Sequence, residues 1–292
     1  MDSIIKKALI PIAGLASRFL PASRAVPKEL WILVEKPMVQ YVIEEAIASG
    51  INHIIFIAPK EKRFIVDYFK KPAKKLEKTL KERKRDESLL RLQKFNQLFE
   101  KTEFSLVEEK DALGDGHAVL KAKRLAGKEP CAVLFADDIV ISQTPALKQL
   151  IDVFRASQKP VIALKRVGGE KISSYGIIGA EKIANRIFKI KEIVEKPSQD
   201  RAPSDIAIVG KYILTPEVFE FLAKTSPNKK GEIILADAFS QMLRAGKTIY
   251  GNEIDGKWLE CGDIASYLKS NIYLALNHPR FGPEINKFIR EL

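Results

Sequence analysis

The chain has 292 residues, 46% of them hydrophobic, enough to bury one large core or two modest ones. Its longest apolar runs are strand-like pieces such as Cys131-Ala132-Val133-Leu134-Phe135-Ala136, well short of the roughly 20 residues that cross a bilayer, so no membrane role is expected. The net charge of +12 raises the question of nucleic acid, but residues 60–101 hold 15 Lys/Arg against 7 Asp/Glu, and this one segment lacks the aromatic–basic interleaving of base stacking.

In chain order, Ala8–Ile12 reads as a buried strand that breaks at Ala13-Gly14. A loop of some fifteen residues follows, carrying Arg18, Arg24 and Lys28, with Pro21 and Pro27 fixing φ. A strand, a glycine turn and spaced cations suit a polyphosphate, because backbone N–H groups approach closely where no side chain intervenes. An ordinary strand-to-helix connection has the same outline, and the turn alone does not decide between them. Met38–Ala48 reads as a helix stopped at Gly50, and His53–Ala58 as a strand. The basic segment 60–101 reads as helical, with Leu76 and Leu80 on one face and Leu89, Leu92, Phe95 and Phe99 recurring at spacings of three and four. Its Lys and Arg residues are most simply a solvated face. Phe104–Val107 is a strand, Glu108–Gly114 a loop, and Asp115–Leu125 a helix that Asp115 is placed to cap. Cys131–Phe135 is a continuous apolar strand suited to the centre of a parallel sheet, and it ends at Asp137-Asp138. Leu147–Ala156 is a helix and Val161–Leu164 a strand.

This alternation predicts an α/β, Rossmann-like doubly wound sheet. Ligands in such sheets bind outside the carboxyl ends of the strands, so the Gly14 loop, the Glu108–Gly114 loop and Asp137 are expected on one rim. From about residue 165 strand-like pieces crowd together (Gly176–Ile178, Ile187–Val194, Ile206–Leu214), which predicts a second lobe of mixed strands. Val218–Ala223, Ile233–Leu243 and Asp263–Leu276 read as helices and Thr248–Ile254 as a strand. The expected division is 1–164, with the insertion at 60–101, then 165–262, then a helical segment 263–292, all within one catalytic unit. Two cysteines, Cys131 and Cys261, do not suggest a disulfide framework, and three histidines are too few for a His-rich metal site. The N-terminal MDSIIKKALIPI lacks a leader pattern, and a cytoplasmic protein is expected.

Asp137, just past a fully apolar strand, is placed to face the rim, and Asp237 falls near a helix start. Two carboxylates from distant parts of the chain suit one Mg²⁺ completed by phosphate oxygens. Each alone has a plainer reading, as a strand end or a helix-start charge. Nine short pieces then resemble, in order, the bacterial UTP–glucose-1-phosphate uridylyltransferases within the sugar-1-phosphate nucleotidyltransferases. They are Ala13-Gly14-Leu15-Ala16-Ser17-Arg18, Pro27-Lys28-Glu29, Glu35-Lys36-Pro37, Gly114 to Val119, Ala136-Asp137-Asp138, Tyr175-Gly176, Val194-Glu195-Lys196-Pro197, Ala207 to Tyr212 and Leu235-Ala236-Asp237-Ala238. The resemblance spans nearly the whole chain.

The resemblance implies a glycosyltransferase-A-like sheet whose second lobe faces the sugar. It implies condensation of UTP with glucose 1-phosphate to UDP-glucose and pyrophosphate, assisted by Mg²⁺. Ala13, Gly14 and Arg18 would wrap the nucleotide phosphates and Lys28 would neutralise the transferred phosphate. Gly114 would admit the base, and Asp137 and Asp237 would hold the metal. Gly176 and Glu195 would meet sugar hydroxyls, and Lys196 the sugar phosphate. It also implies small-molecule substrates rather than a nucleic-acid polymer or membrane, and a homodimer or homotetramer. Other nucleotides or sugars, or a non-catalytic regulatory paralogue, are the alternatives.

Three departures bear on those implications. Ala16 and Ser17 stand where the family has Gly and Thr, and Ala tolerates positive φ poorly. The family's Pro-Lys-Glu-Met-Leu-Pro becomes Pro27-Lys28-Glu29-Leu30-Trp31-Ile32. Glu109 falls on the family glutamine that reads uracil, and a carboxylate only accepts hydrogen bonds, which suits guanine better. Either Glu109 is protonated, or it turns away, or the base preference is altered.

Overall fold

The computed structural model describes residues 4–292. Met1–Ser3, part of the stretch read above for a leader, lie outside the described residues. Nine strands form one sheet: β1 Lys7–Pro11, β2 His53–Ala58, β3 Glu103–Glu108, β4 Cys131–Leu134, β5 Val161–Arg166, β6 Gly176–Ala184, β7 Ile187–Glu195, β8 Ile206–Leu214 and β9 Tyr250–Glu253. Their order is β3-β2-β1-β4-β8-β5-β9-β7-β6. The first four are mutually parallel, and β8 enters antiparallel to both β4 and β5. At the far edge β6 also touches β8 through Ala207 and Ile177, so the second lobe curls back on itself.

The central strands are apolar without alternation because both faces are covered. All four residues of β4 and all nine of β8 are buried. One face packs under helices Met38–Ala48, Arg63–Lys70 and Ala146–Ser157 through Val42, Ile65 and Leu150. The other packs under Asp115–Lys121, Pro216–Leu222 and Leu235–Arg244 through Val119, Phe219 and Phe239. The doubly wound expectation therefore holds. Among the described residues no helix is long and apolar enough to cross a membrane.

The basic segment is three helices rather than one run: Arg63–Lys70, Lys74–Glu82 and Asp86–Phe99. Phe95 and Phe99 turn in to join Phe69 and Phe104, with the Phe69–Phe99 centroids 5.0 Å apart. Leu76 stays half exposed. Two further strands escape the apolar-run test. Asp138–Ile141 pairs antiparallel with Lys257–Glu260, in a register that sets Glu260 opposite Asp138. Each has four residues and a charged end, so neither carries the long apolar pattern that marks a central strand.

Candidate active site

A cleft of about 820 Å³ opens at the carboxyl ends of β1 and β4. Its wall includes Gly14, Arg18, Lys28, Gly114, Asp137, Gly176, Glu195 and Lys196, so the three loops expected on one rim do meet there.

The first loop is built from its backbone. Ala16 adopts φ 51°, ψ 36°, the left-handed conformation that the family glycine takes without strain. Its carbonyl accepts Phe19 N–H at 2.9 Å and the Ser23 hydroxyl at 3.1 Å. The turn aims Arg18 into the cleft and buries Phe19 beneath Trp31, edge to face at 4.9 Å. Trp31 also packs on Tyr267, and its Nε1 donates to Val26 O. The indole that replaced a family residue thus ties the loop to the helix Ile264–Leu276. Gly14 has a different role: a Cβ there meets nothing within 4 Å, so its bareness keeps open the space over the strand end.

Lys28 sits in the 3₁₀ turn Lys28–Leu30, and its Nζ lies 2.5 Å from Asp137 Oδ2. Burial lowers the lysine pKa, but the Asp137 charge and hydrogen bond outweigh it, so Lys28 stays protonated. Burial alone would raise Asp137, and the Lys28 charge holds it below the usual carboxylate range. Behind them, the buried Glu29 carboxylate pairs with Lys62 Nζ at 3.2 Å, and Lys62 also donates to Ile12 O at 2.6 Å. Sequence reading missed this brace, because Lys62 looks like one more solvated cation at the start of a basic segment.

A second carboxylate near Asp137 is Glu260, which the sequence did not single out. A Cβ built on Gly262 would lie 3.3 Å from Glu260 Oε1, 3.6 Å from Arg18 Nη1 and 3.7 Å from Asp137 Oδ2. Two carboxylate oxygens and a guanidinium therefore gather beside Gly262. Cys261 N–H donates to Asp137 O at 2.8 Å and fixes that approach. Glu260 is further held by the Tyr175 hydroxyl, and Trp258 packs on the Tyr175 ring at 4.9 Å. Trp258 Nε1 and Gly210 N–H both donate to Asp138, whose pKa burial and the Asp137 charge push up to about 7.

Asp237 does not join them. It stands in the first turn of Leu235–Arg244, where burial raises its pKa and Arg244 opposes the rise. The cleft takes Ala236 and Phe239 from that turn instead. Helix phase decides which side of a helix start faces a pocket, and Asp237 is not among the residues of the cleft wall.

On the second lobe, Glu195 pairs across the sheet with Gly176, and a Cβ on Gly176 would meet Glu195 Oε2 at 3.1 Å. Lys196 follows at φ 45°, with its N–H on Tyr175 O at 3.1 Å and its Nζ 3.4 Å from Glu195 Oε1. Gly114, at φ +103°, has no room for a Cβ, which would lie 2.4 Å from Ile233 O.

Glu109 turns inward. It is buried, it accepts Asp111 N–H at 2.7 Å, and its other oxygen lies 2.8 Å from His117 Nδ1. That contact has ion-pair distance but poor hydrogen-bond direction. Glu109 is not part of the cleft wall, so of the three readings of this departure the geometry matches turning away. Nor does Asp115 cap its own helix. The N-cap is Gly114, and Asp115 Oδ1 accepts Leu235 N–H from the start of another helix at 2.8 Å.

Comparison with known proteins gives the family. A family model described as nucleotidyl transferase matches residues 7–275. The chain is 41% identical over 288 residues to a UTP–glucose-1-phosphate uridylyltransferase of Staphylococcus haemolyticus, covering 99% of this chain and 98% of that protein. It superposes with TM-score 0.89 on a UTP-bound UGPase from Acinetobacter baumannii, at 34% identity and 99% coverage of each chain. A UDP-glucose pyrophosphorylase complexed with UDP-glucose matches with TM-score 0.82 and 37% identity, over 91% of this chain and 97% of that one.

Proposed function

The chain belongs to the nucleotidyl transferase family, and from that premise we propose that it condenses UTP and glucose 1-phosphate to UDP-glucose and pyrophosphate. The observation that carries this is the single cleft in which Arg18, Lys28, Asp137 and Glu260 converge at one end and Gly176, Glu195 and Lys196 at the other.

The reaction brings two polyanions together, and an oxygen of the sugar phosphate attacks the α-phosphorus of UTP as pyrophosphate leaves. Positioning and charge compensation suffice, without an enzyme nucleophile. Arg18 and the bare backbone at Ala13-Gly14 receive the nucleotide phosphates. Lys28 stays protonated beside Asp137 and offsets charge that builds on the transferred phosphate. Lys196 holds the sugar phosphate, and its strained backbone aims it there. Gly176 and Glu195 take the sugar hydroxyls, and Gly114 admits the base.

A divalent ion, Mg²⁺ by the chemistry of its donors, fits Asp137 and Glu260. Both offer hard oxygens beside Gly262, and Mg²⁺ usually takes one or two carboxylates and completes its shell with phosphate and water. When bound it supplies further positive charge to the phosphates. With Glu109 turned inward, the physical argument for guanine falls away.

The exposed stripe Ile264, Leu268 and Ile272 on one side of Ile264–Leu276 supports a homodimer or homotetramer. Two buried free thiols, Cys131 and Cys261, fit a cytoplasmic setting.

The test is pyrophosphate release across UTP, dTTP, GTP and CTP, each with glucose 1-phosphate and other hexose 1-phosphates. Turnover is expected to be greatest with UTP and glucose 1-phosphate. A preference for GTP, or no turnover with any pair, overturns the reading.

A further inference from the structure

Arg18 and Lys28 line the cleft with Asp137, whereas Asp115 feels the charges of Glu195 and Glu232, and Glu195 is itself 3.4 Å from Lys196 Nζ. Asp115, Asp138, Glu195 and the buried Tyr212 all line the same cleft, and the three carboxylates raise the Tyr212 phenol further after burial has done so. Ile208 and Phe239 supply apolar wall beside it. Asp115 is no loose surface acid. Its Oδ1 is fixed by Leu235 N–H, and the residue forms part of the cleft wall.

We propose that Asp115 is a specificity-determining residue for the sugar half of the reaction, accepting a hydrogen bond from a hexosyl hydroxyl across the pocket from Glu195. The proposal rests on the function given above. Clustered carboxylates repel phosphate, and they also repel a base edge that presents carbonyl oxygens. Ionised carboxylates only accept, so they match a group rich in O–H donors, and a neutral hexose is such a group. The same cluster rejects a ring that carries its own carboxylate, such as a hexuronic acid 1-phosphate, because like charges in a low-dielectric pocket repel strongly. Burial, with the charges of Glu195 and Glu232, pushes Asp115 up to about 6, as expected for an acid in that company.

The competing explanation is structural: Asp115 merely anchors the start of Leu235–Arg244. Asp115→Asn separates the two, because its amide oxygen can still accept from Leu235 N–H. UDP-glucose and UDP are titrated into wild type and D115N by calorimetry, KM for glucose 1-phosphate and for UTP is measured separately, and Tm is recorded. In wild type the glucosyl group should add affinity over UDP. In D115N that increment should fall roughly ten- to a hundredfold, with KM for glucose 1-phosphate rising in step while UDP affinity and KM for UTP hold and Tm does not fall. Discrimination against glucuronic acid 1-phosphate should weaken as well. An unchanged glucosyl increment, or equal losses for UDP and UDP-glucose with a lower Tm, overturns the role of Asp115 and leaves the function standing. Wild type that binds neither nucleotide overturns both.

Discussion

Lys28 and Asp137 lie 109 residues apart in sequence and 2.5 Å apart in space. Each holds the other ionised against the burial that would discharge it. The cleft thus keeps a cation and an anion side by side before any substrate arrives, so little reorganisation is needed when phosphate charge develops.

Replacing Lys28 with Ala should therefore remove transition-state stabilisation more than structure. A loss on the order of 3 kcal/mol of barrier, about a hundredfold in kcat, is expected. Circular dichroism should be unchanged. Near-normal turnover would refute the role of Lys28.

Glu260 and Asp237 make opposite predictions. Glu260→Gln should raise the Mg²⁺ concentration needed for half-maximal activity by about tenfold or more, as expected for a lost charged oxygen donor. Asp237→Asn should leave that titration near wild type, since Asp237 does not line the cleft. A larger effect from Asp237→Asn than from Glu260→Gln would reverse the assignment.

Ala16 occupies a left-handed backbone at φ 51°. A residue with a Cβ there costs roughly 1–2 kcal/mol relative to an unstrained conformation. Part of this is offset by the greater freedom of glycine in the unfolded chain. Ala16→Gly should raise Tm by a few degrees, about 1 kcal/mol of stability. A lower Tm would mean the methyl contributes packing that outweighs the strain.

Asp115 also predicts a pH signature. Its pKa in the folded protein is about 6, above the ordinary 3.8, with burial first and then Glu195 and Glu232 among the causes. The folded state keeps a proton that the unfolded chain releases between those values. Stability relative to Asp115→Asn should therefore be intact below pH 4, decline as pH rises to about 6, and level off above 7, a change on the order of 2–3 kcal/mol. Urea unfolding of both proteins at pH 4, 5, 6 and 7 measures it. A flat difference would show that Asp115 is solvated like an ordinary carboxylate.

The alternation of apolar strands and amphipathic helices was legible along the chain, because burial on both faces writes itself as continuous apolar runs such as Ile54–Ala58 and Cys131–Leu134. The glycine loop, Lys28 and Asp137 were legible too, since strand ends point at the ligand rim in any doubly wound sheet. Glu260 was not, because it lies in a four-residue strand with no distinctive pattern and comes near Asp137 through pairing with Asp138–Ile141. Glu109 illustrates the reverse case. The resemblance set it at the family's base-reading position and left open whether it turns away; a buried carboxylate needs partners, and it finds them in Asp111 N–H and His117, none of the three forming part of the cleft wall. Local pattern fixes which segments become strands and helices, because those periods depend on near neighbours. Which carboxylates share one pocket depends on helix phase and strand register between distant segments, and only the assembled chain decides that.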